Sequence, residues 1–152
     1  MILAVDPGKA TGVALYHETD GFFSSSVVPG GITGFVDWFW GIPWPTTIIC
    51  EKFTIGAMQT RTTSQYDALY INGYLLGCCW RRSVPFIQQP VTSAKTFATN
   101  DKLKTLGWYN PEDGGHAVDA ARHLLTYLSR IPLGQDIMRK LLESNDITED
   151  QG

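Results

Sequence analysis

The feature that most constrains this chain is its first sixteen residues, where two apolar runs, residues 2–5 and 13–16, flank Asp6-Pro7-Gly8 and Gly12. Short apolar runs punctuated by proline and glycine predict a β-hairpin. The first run contains no polar residue, which predicts a strand buried on both faces, yet a carboxylate closes it. Burying an ionised carboxylate without a partner is costly. Asp6 therefore either caps the turn before Pro7 or faces a cation, a metal or a set of donors. Gly8 and Gly12 let that turn approach something bulky.

A chain of 152 residues has room for one domain with a substantial core and not for two. With 43% hydrophobic and 18% charged residues it reads as an ordinary globular protein, and no apolar segment is long enough to span a bilayer. The opening Met1-Ile-Leu-Ala-Val lacks a basic leader and meets Asp6 at once, which predicts no secretion signal and a cytoplasmic location. Cys50, Cys78 and Cys79 have no metal-type spacing and read as buried thiols in a reducing compartment. The net charge of −3 argues at first against a nucleic-acid partner. Four of the 15 acids, Glu143, Asp146, Glu149 and Asp150, lie in the last ten residues, and without them 12 basic residues face 11 acidic ones. Composition therefore permits a nucleic-acid partner without requiring one.

Residues 21–28 predict a third strand, so three antiparallel strands follow through short connections. After Gly30-Gly31, residues 32–40 predict a short helix ended by Gly41 and Pro43-Trp44-Pro45, its aromatics suited to core packing or to stacking on nucleotides. Residues 46–50 predict a β-branched strand that also ends in an acid, Glu51. Alone, Glu51 reads as a surface residue paired with Lys52. On a strand beside Asp6, the two acids would repel, and a divalent cation would relieve that cost.

From residue 60 to 82 the period becomes helical, with Tyr66, Leu69, Tyr70, Gly73, Leu76, Gly77 and Trp80 at threes and fours and Thr63 or Ser64 placed to cap the start. Gly73 and Gly77 on that face suit either packing on the sheet or the approach of a second copy. Arg81 and Arg82 suit the helix dipole or a phosphate. Residues 84–87 predict a fifth strand, and Pro90 with Thr92 or Ser93 opens a further helix. Lys95, Lys102 and Lys104 follow at a spacing that fits a phosphate backbone or a solvated basic face.

In the stretch 113–128, Ala117, Ala120, Ala121, Leu124, Leu125 and Leu128 form an i, i+3, i+4 stripe whose alanines permit close packing on the sheet. His116 and Asp119 lie one turn apart and off that stripe, placed to ligate a metal together or to cap the helix start. Residues 135–142 predict a last amphipathic segment. The chain has no phosphate-binding Gly-x-x-x-x-Gly-Lys loop, no serine nucleophile elbow and no Cys-x-x-Cys pair.

Taken in order, Asp6-Pro-Gly-x-x-x-Gly12, the hydrophobic strand into Glu51 and His116-x-x-Asp119-Ala120 resemble the motifs of RuvC-type Holliday junction resolvases, members of the ribonuclease H-like superfamily. The resemblance covers roughly residues 1–130, and the length is similar to that of bacteriophage-encoded members, whose location is the host cytoplasm. It implies an α/β ribonuclease H-like fold: a five-stranded mixed sheet, three strands antiparallel and then two parallel, flanked by helices. Residues 1–142 would form the single nuclease domain and residues 143–152 a disordered acidic tail. It also implies that Asp6, Glu51, His116 and Asp119 are the catalytic residues and metal ligands, and that the protein is a homodimer. Lys95 and Lys102 become candidate phosphate contacts, with Lys9, Arg81, Arg82 and Lys104 as further basic candidates. The family's wedge aromatic is expected three residues after the second acid, whereas Phe53 here follows Glu51 by two.

The implied chemistry uses two Mg²⁺ ions about 4 Å apart, one activating water for in-line attack on phosphorus and the other stabilising the leaving 3′ oxygen. Mn²⁺ can substitute, and His116 serves as ligand or proton carrier. The expected activity is a structure-selective endodeoxyribonuclease acting on four-way junctions or related branched DNA and leaving 5′-phosphate and 3′-hydroxyl ends. One alternative is the same fold acting on flaps, forks or RNA-containing duplexes; another is a branched-DNA-binding module without catalysis. ATP-binding proteins of the actin and sugar-kinase type share the first hairpin, but they need a second, duplicated domain for which this chain leaves no room.

Overall fold

The computed structural model describes residues 1–53, 63–111 and 114–149. Its centre is β1 (Ile2–Asp6), buried along its whole length as the uninterrupted apolar run requires. β2 (Ala10–Tyr16) and β3 (Phe23–Pro29) continue from it as antiparallel neighbours, while β4 (Thr47–Glu51) and β5 (Phe86–Gln89) add in parallel on its other side. The five-stranded order is β3-β2-β1-β4-β5, the expected mixed sheet. The parallel pairs are bridged by α1 (Gly31–Trp40) and α2 (Thr63–Arg82), since parallel neighbours need a crossover. Beyond β5 come α3 (Val91–Phe97), α4 (Asn100–Thr105), α5 (His116–Leu128) and α6 (Gln135–Glu149).

Alternation along the strands sorts the core into two layers. Ile2, Ala4, Ala14, Tyr16 and Ile49 face α5 and its Ala120, Ala121, Leu124, Leu125 and Leu128. Leu3, Val5, Val13, Ile48 and Cys50 face Phe35 and Phe39 of α1 and Ile71, Leu75 and Cys79 of α2. Continuing the alternation by one residue sends both Asp6 and Glu51 out on the α5 side. The expected alanine-rich stripe is thus the buried face of α5. Its approach to the sheet is close enough that a Cβ on Gly12 would stand 1.9 Å from the carbonyl oxygen of His116. Only glycine fits there.

Two expectations are corrected and one open alternative is narrowed. The fifth strand begins at Phe86 rather than residue 84: Pro85 has no N–H to give a ladder, although its carbonyl accepts from Ile48 N at 3.0 Å. The shift carries the strand on to Gln89, which pairs in register with Glu51. Next, the periodic face of α2 is its outer one. Tyr66, Leu69, Tyr70, Leu76 and Trp80 are exposed, and the sheet is covered by Ala68, Ile71, Leu75 and Cys79 instead. Gly73 and Gly77 have no heavy atom within 4 Å of a built Cβ, so sheet packing does not explain them. The caps expected at Thr63 or Ser64 lie outside the described side chains. Finally, α6 runs to Glu149, past Leu142, the end of the last amphipathic segment read from the sequence. Arg139 spans this boundary by pairing with Asp136 at 2.8 Å and Glu143 at 3.9 Å, spacings that favour continued helix. Among the described residues no helix is long and apolar enough to cross a membrane.

Candidate active site

The site lies at the carboxyl ends of β1 and β4, where a parallel pair opens beneath the first turns of α5. Position in open α/β sheets favours ligand sites at such ends. Asp6 follows Val5, which pairs with Cys50, so Asp6 and Glu51 leave adjacent strands side by side. Above them α5 starts at His116, behind Gly115 at φ 89°, a left-handed conformation that glycine adopts without strain. With Gly115 as the N-cap, His116 is free of capping and turns to Asp6: its Nδ1 lies 2.9 Å from Asp6 Oδ2.

Asp6 is only 8% exposed. Burial is the main reason its carboxyl is pushed up from 3.8 to about 6; the hydrogen bond and charge of His116 oppose the rise, while the negative charges of Glu51 and Asp119 add to it. Asp6 is therefore repelled by both other acids, as placement on one side of the sheet predicts. Glu51 is held from both layers. Its backbone carbonyl accepts from Asn72 Nδ2 of α2 at 3.3 Å, and its Oε2 lies 3.3 Å from Nε2 of His123 on α5. Asp119 accepts from Arg122 one turn along α5 and pairs with Lys95 Nζ of α3 at 3.2 Å. Arg122 also donates to Asn100.

As placed, no three His, Cys, Asp or Glu side chains among the described residues are gathered closely enough to hold one ion. Asp119 pairs instead with two cations, Arg122 and Lys95. The donor set nevertheless fits a hard divalent cation: carboxylate oxygens and an imidazole, with an acid whose proton affinity is raised chiefly by burial and further by its acidic neighbours. Asp6, Glu51 and His116 are the side chains that would hold it, with Asp119 completing the set once released from Arg122 and Lys95.

The candidate DNA contacts divide. Lys9 is exposed and shares with Phe53, Glu51 and His116 the wall of a groove of about 640 Å³ beside the acids. Lys95 stands at Asp119. Lys102 donates to the carbonyl of Phe97 at 2.9 Å and lies over that ring, and Lys104 sits 3.6 Å from Asp101. Arg81 and Arg82 close α2 just before the amino end of β5, at the opposite end of the sheet from the acids. Arg82 stacks on Trp44 at 4.1 Å, with Trp40 at 5.9 Å. Sequence reading missed Arg122, His123, Asn72 and Gln89. His123 was the one with a signal, four residues after Asp119 and seven after His116 on the same helix.

No family model and no curated protein matches the sequence. Solved structures do. RuvC of Thermus thermophilus in complex with a Holliday junction substrate is similar with a TM-score of 0.58 and 15% identity, covering 87% of this chain and 96% of that one. The fowlpox virus resolvase in complex with Holliday junction DNA is similar with a TM-score of 0.53 and 14% identity, covering 86% of this chain and all of that one (100%). Together with the strand order, these likenesses define the class: the chain has the α/β, ribonuclease H-like fold of these resolvases.

Proposed function

We infer that this protein is a metal-dependent endodeoxyribonuclease that resolves four-way DNA junctions or closely related branched DNA. The observation that carries the reading is the buried Asp6, held by His116 and close enough to Glu51 and Asp119 for their charges to act on it, at one end of a sheet whose fold is that of RuvC and the fowlpox virus resolvase. Divalent cations, Mg²⁺ or Mn²⁺, would supply activation of a water nucleophile and neutralisation of charge on the leaving oxygen, giving 5′-phosphate and 3′-hydroxyl ends.

The chain's own residues do the rest. Asp6 and Glu51 are fixed by strand register, so their spacing does not depend on a loop. His116 holds Asp6 through Nδ1, which leaves Nε2 available to carry a proton at the edge of the groove. Lys95 and Arg122 are positioned to take a substrate phosphate in exchange for Asp119. Lys9 and Phe53 line the groove along which a strand would enter, Phe53 against a base and Lys9 against a phosphate.

The reading includes a homodimer, so that two sites act on opposing strands. Supporting it is the outward face of α2, where Tyr70, Leu76 and Trp80 are 57%, 55% and 83% exposed around the open positions of Gly73 and Gly77. An apolar stripe of that kind is unusual on a monomer. The test is cleavage of end-labelled four-way junctions, flaps, forks, RNA–DNA duplexes and linear DNA in Mg²⁺. The expected result is cutting of the junction well ahead of linear duplex; preference for flaps or RNA-containing duplex would move the substrate class within the same fold.

A further inference from the structure

His123 is 1% exposed on α5, yet it does not interrupt the apolar stripe by accident of packing: both ring nitrogens face polar side chains. Nε2 lies 3.3 Å from Glu51 Oε2 and Nδ1 lies 3.1 Å from the side-chain amide oxygen of Gln89. Gln89 is itself buried, and the β4–β5 register sets it directly beside Glu51. A ring protonated on both nitrogens donates to both partners as they stand. A neutral ring that donates from Nε2 accepts at Nδ1 once the Gln89 amide turns over. In either state Nε2–H points at Glu51. From the opposite layer, Asn72 donates to the Glu51 carbonyl and accepts from Gln88 at 2.9 Å. Glu51 is therefore gripped at its main chain from α2 and at one carboxylate oxygen from α5.

A buried imidazole is a poor choice for filling space, because its desolvation is recovered only through hydrogen bonds. The neighbouring buried positions of the stripe, Ala120 and Leu124, are apolar. We propose that His123 is a positioning residue: it holds the Glu51 carboxylate, through Nε2–H and with Gln89 fixing the ring, in the orientation from which Glu51 binds a divalent cation. The proposal rests on the reading of Glu51 as a cation ligand. Outer partners of this kind commonly change metal affinity by roughly 10- to 100-fold when removed.

The experiment compares wild type, His123→Leu, His123→Gln, Gln89→Met and Glu51→Gln by calorimetric titration with Mn²⁺ alone, with circular dichroism as the check on folding. Junction cleavage is measured in parallel against Mn²⁺ concentration. His123→Leu is expected to weaken Mn²⁺ binding roughly 10- to 100-fold and to raise the Mn²⁺ concentration for half-maximal rate correspondingly. His123→Gln, whose amide N–H2 can replace the Nε2–H donor, is expected to recover most of the affinity. Gln89→Met, which keeps the volume and loses the amide, is expected to fall between wild type and His123→Leu and serves if the leucine variant does not fold. Wild-type Mn²⁺ affinity in folded His123→Leu or Gln89→Met would overturn the proposal, and so would a glutamine variant as weak as the leucine one. If Glu51→Gln itself binds Mn²⁺ and cuts like wild type, the reading of the site fails; if Glu51→Gln fails while the His123 variants behave as wild type, only the present inference falls.

Discussion

The Nδ1 of His116 and Oδ2 of Asp6 are 2.9 Å apart although 110 residues separate them in the chain. This contact joins the first strand to α5, and it depends on a third residue, Gly12, which pairs with Asp6 and lies against the backbone of His116. The geometry of the site is therefore a consequence of how closely α5 lies on β2.

Gly12→Ala tests that dependence. A Cβ at 1.9 Å from His116 O must push the start of α5 away from β2. Overpacking of this kind costs on the order of 1–3 kcal/mol, and the expected result is a loss of that size in urea denaturation with junction cleavage reduced at least roughly tenfold, since misplaced catalytic groups lose rate steeply. Wild-type stability and rate would show that α5 is not seated as described.

In the metal-free protein, stability should depend on pH through Asp6. Its carboxyl titrates near 6 when folded and near 3.8 when unfolded. Between those values the native state binds more protons than the unfolded one, so stability falls as pH rises through the window and stays lower above it. About two pH units at about 1.4 kcal/mol each gives on the order of 3 kcal/mol. Urea unfolding in EDTA between pH 4 and pH 8 should show wild type losing ground to Asp6→Asn by up to that amount as pH rises. Parallel curves would contradict the burial argument.

Trp80→Glu with Leu76→Glu addresses the exposed stripe of α2. In an isolated chain, substitutions at such exposed positions change stability little, usually within about 0.5 kcal/mol. If the stripe joins two copies, sedimentation velocity should show a shift from dimer to monomer with the melting curve of the folded chain preserved. An unchanged sedimentation coefficient would place any dimer contact elsewhere.

Lys95→Ala removes one of the two cations at Asp119. Junction binding measured in Ca²⁺ should weaken modestly, with a smaller dependence on salt, because one phosphate contact is lost. Arg82→Ala, at the far end of the sheet and stacked on Trp44, should leave binding unchanged by the same assay.

Much of this architecture was legible in the sequence, for reasons that differ by element. β1 could be read because no polar residue interrupts it, and Asp6 stood out because that run ends in a charge. α5 could be read because alanines and leucines repeat with helical period, which left His116 and Asp119 visibly off the stripe. The apolar period of α2 left its partner open, because a period marks a face and not what covers it; the sheet-side residues Ala68, Asn72, Leu75 and Cys79 also repeat at threes and fours, so spacing alone did not tell the two faces apart. His123 carried a spacing signal, but its role with Gln89 exists only after β5 is extended past Ile87 and set in register with β4. The pairing of Asp119 with Arg122 and Lys95 is likewise tertiary: Lys95 belongs to another helix, and no local rule brings it there.

The central claim is that Asp6 and its partners form one cation-binding centre that cuts branched DNA, and a single comparison tests it. Wild type and Asp6→Asn are given a synthetic four-way junction, with cleavage scored in Mg²⁺ and binding in Ca²⁺. The account predicts paired, symmetrical nicks by wild type, no detectable nicks by Asp6→Asn, and nearly equal binding by both. Full cleavage by Asp6→Asn, or no cleavage of the junction by a folded wild-type protein that binds it in Mg²⁺, would contradict the account.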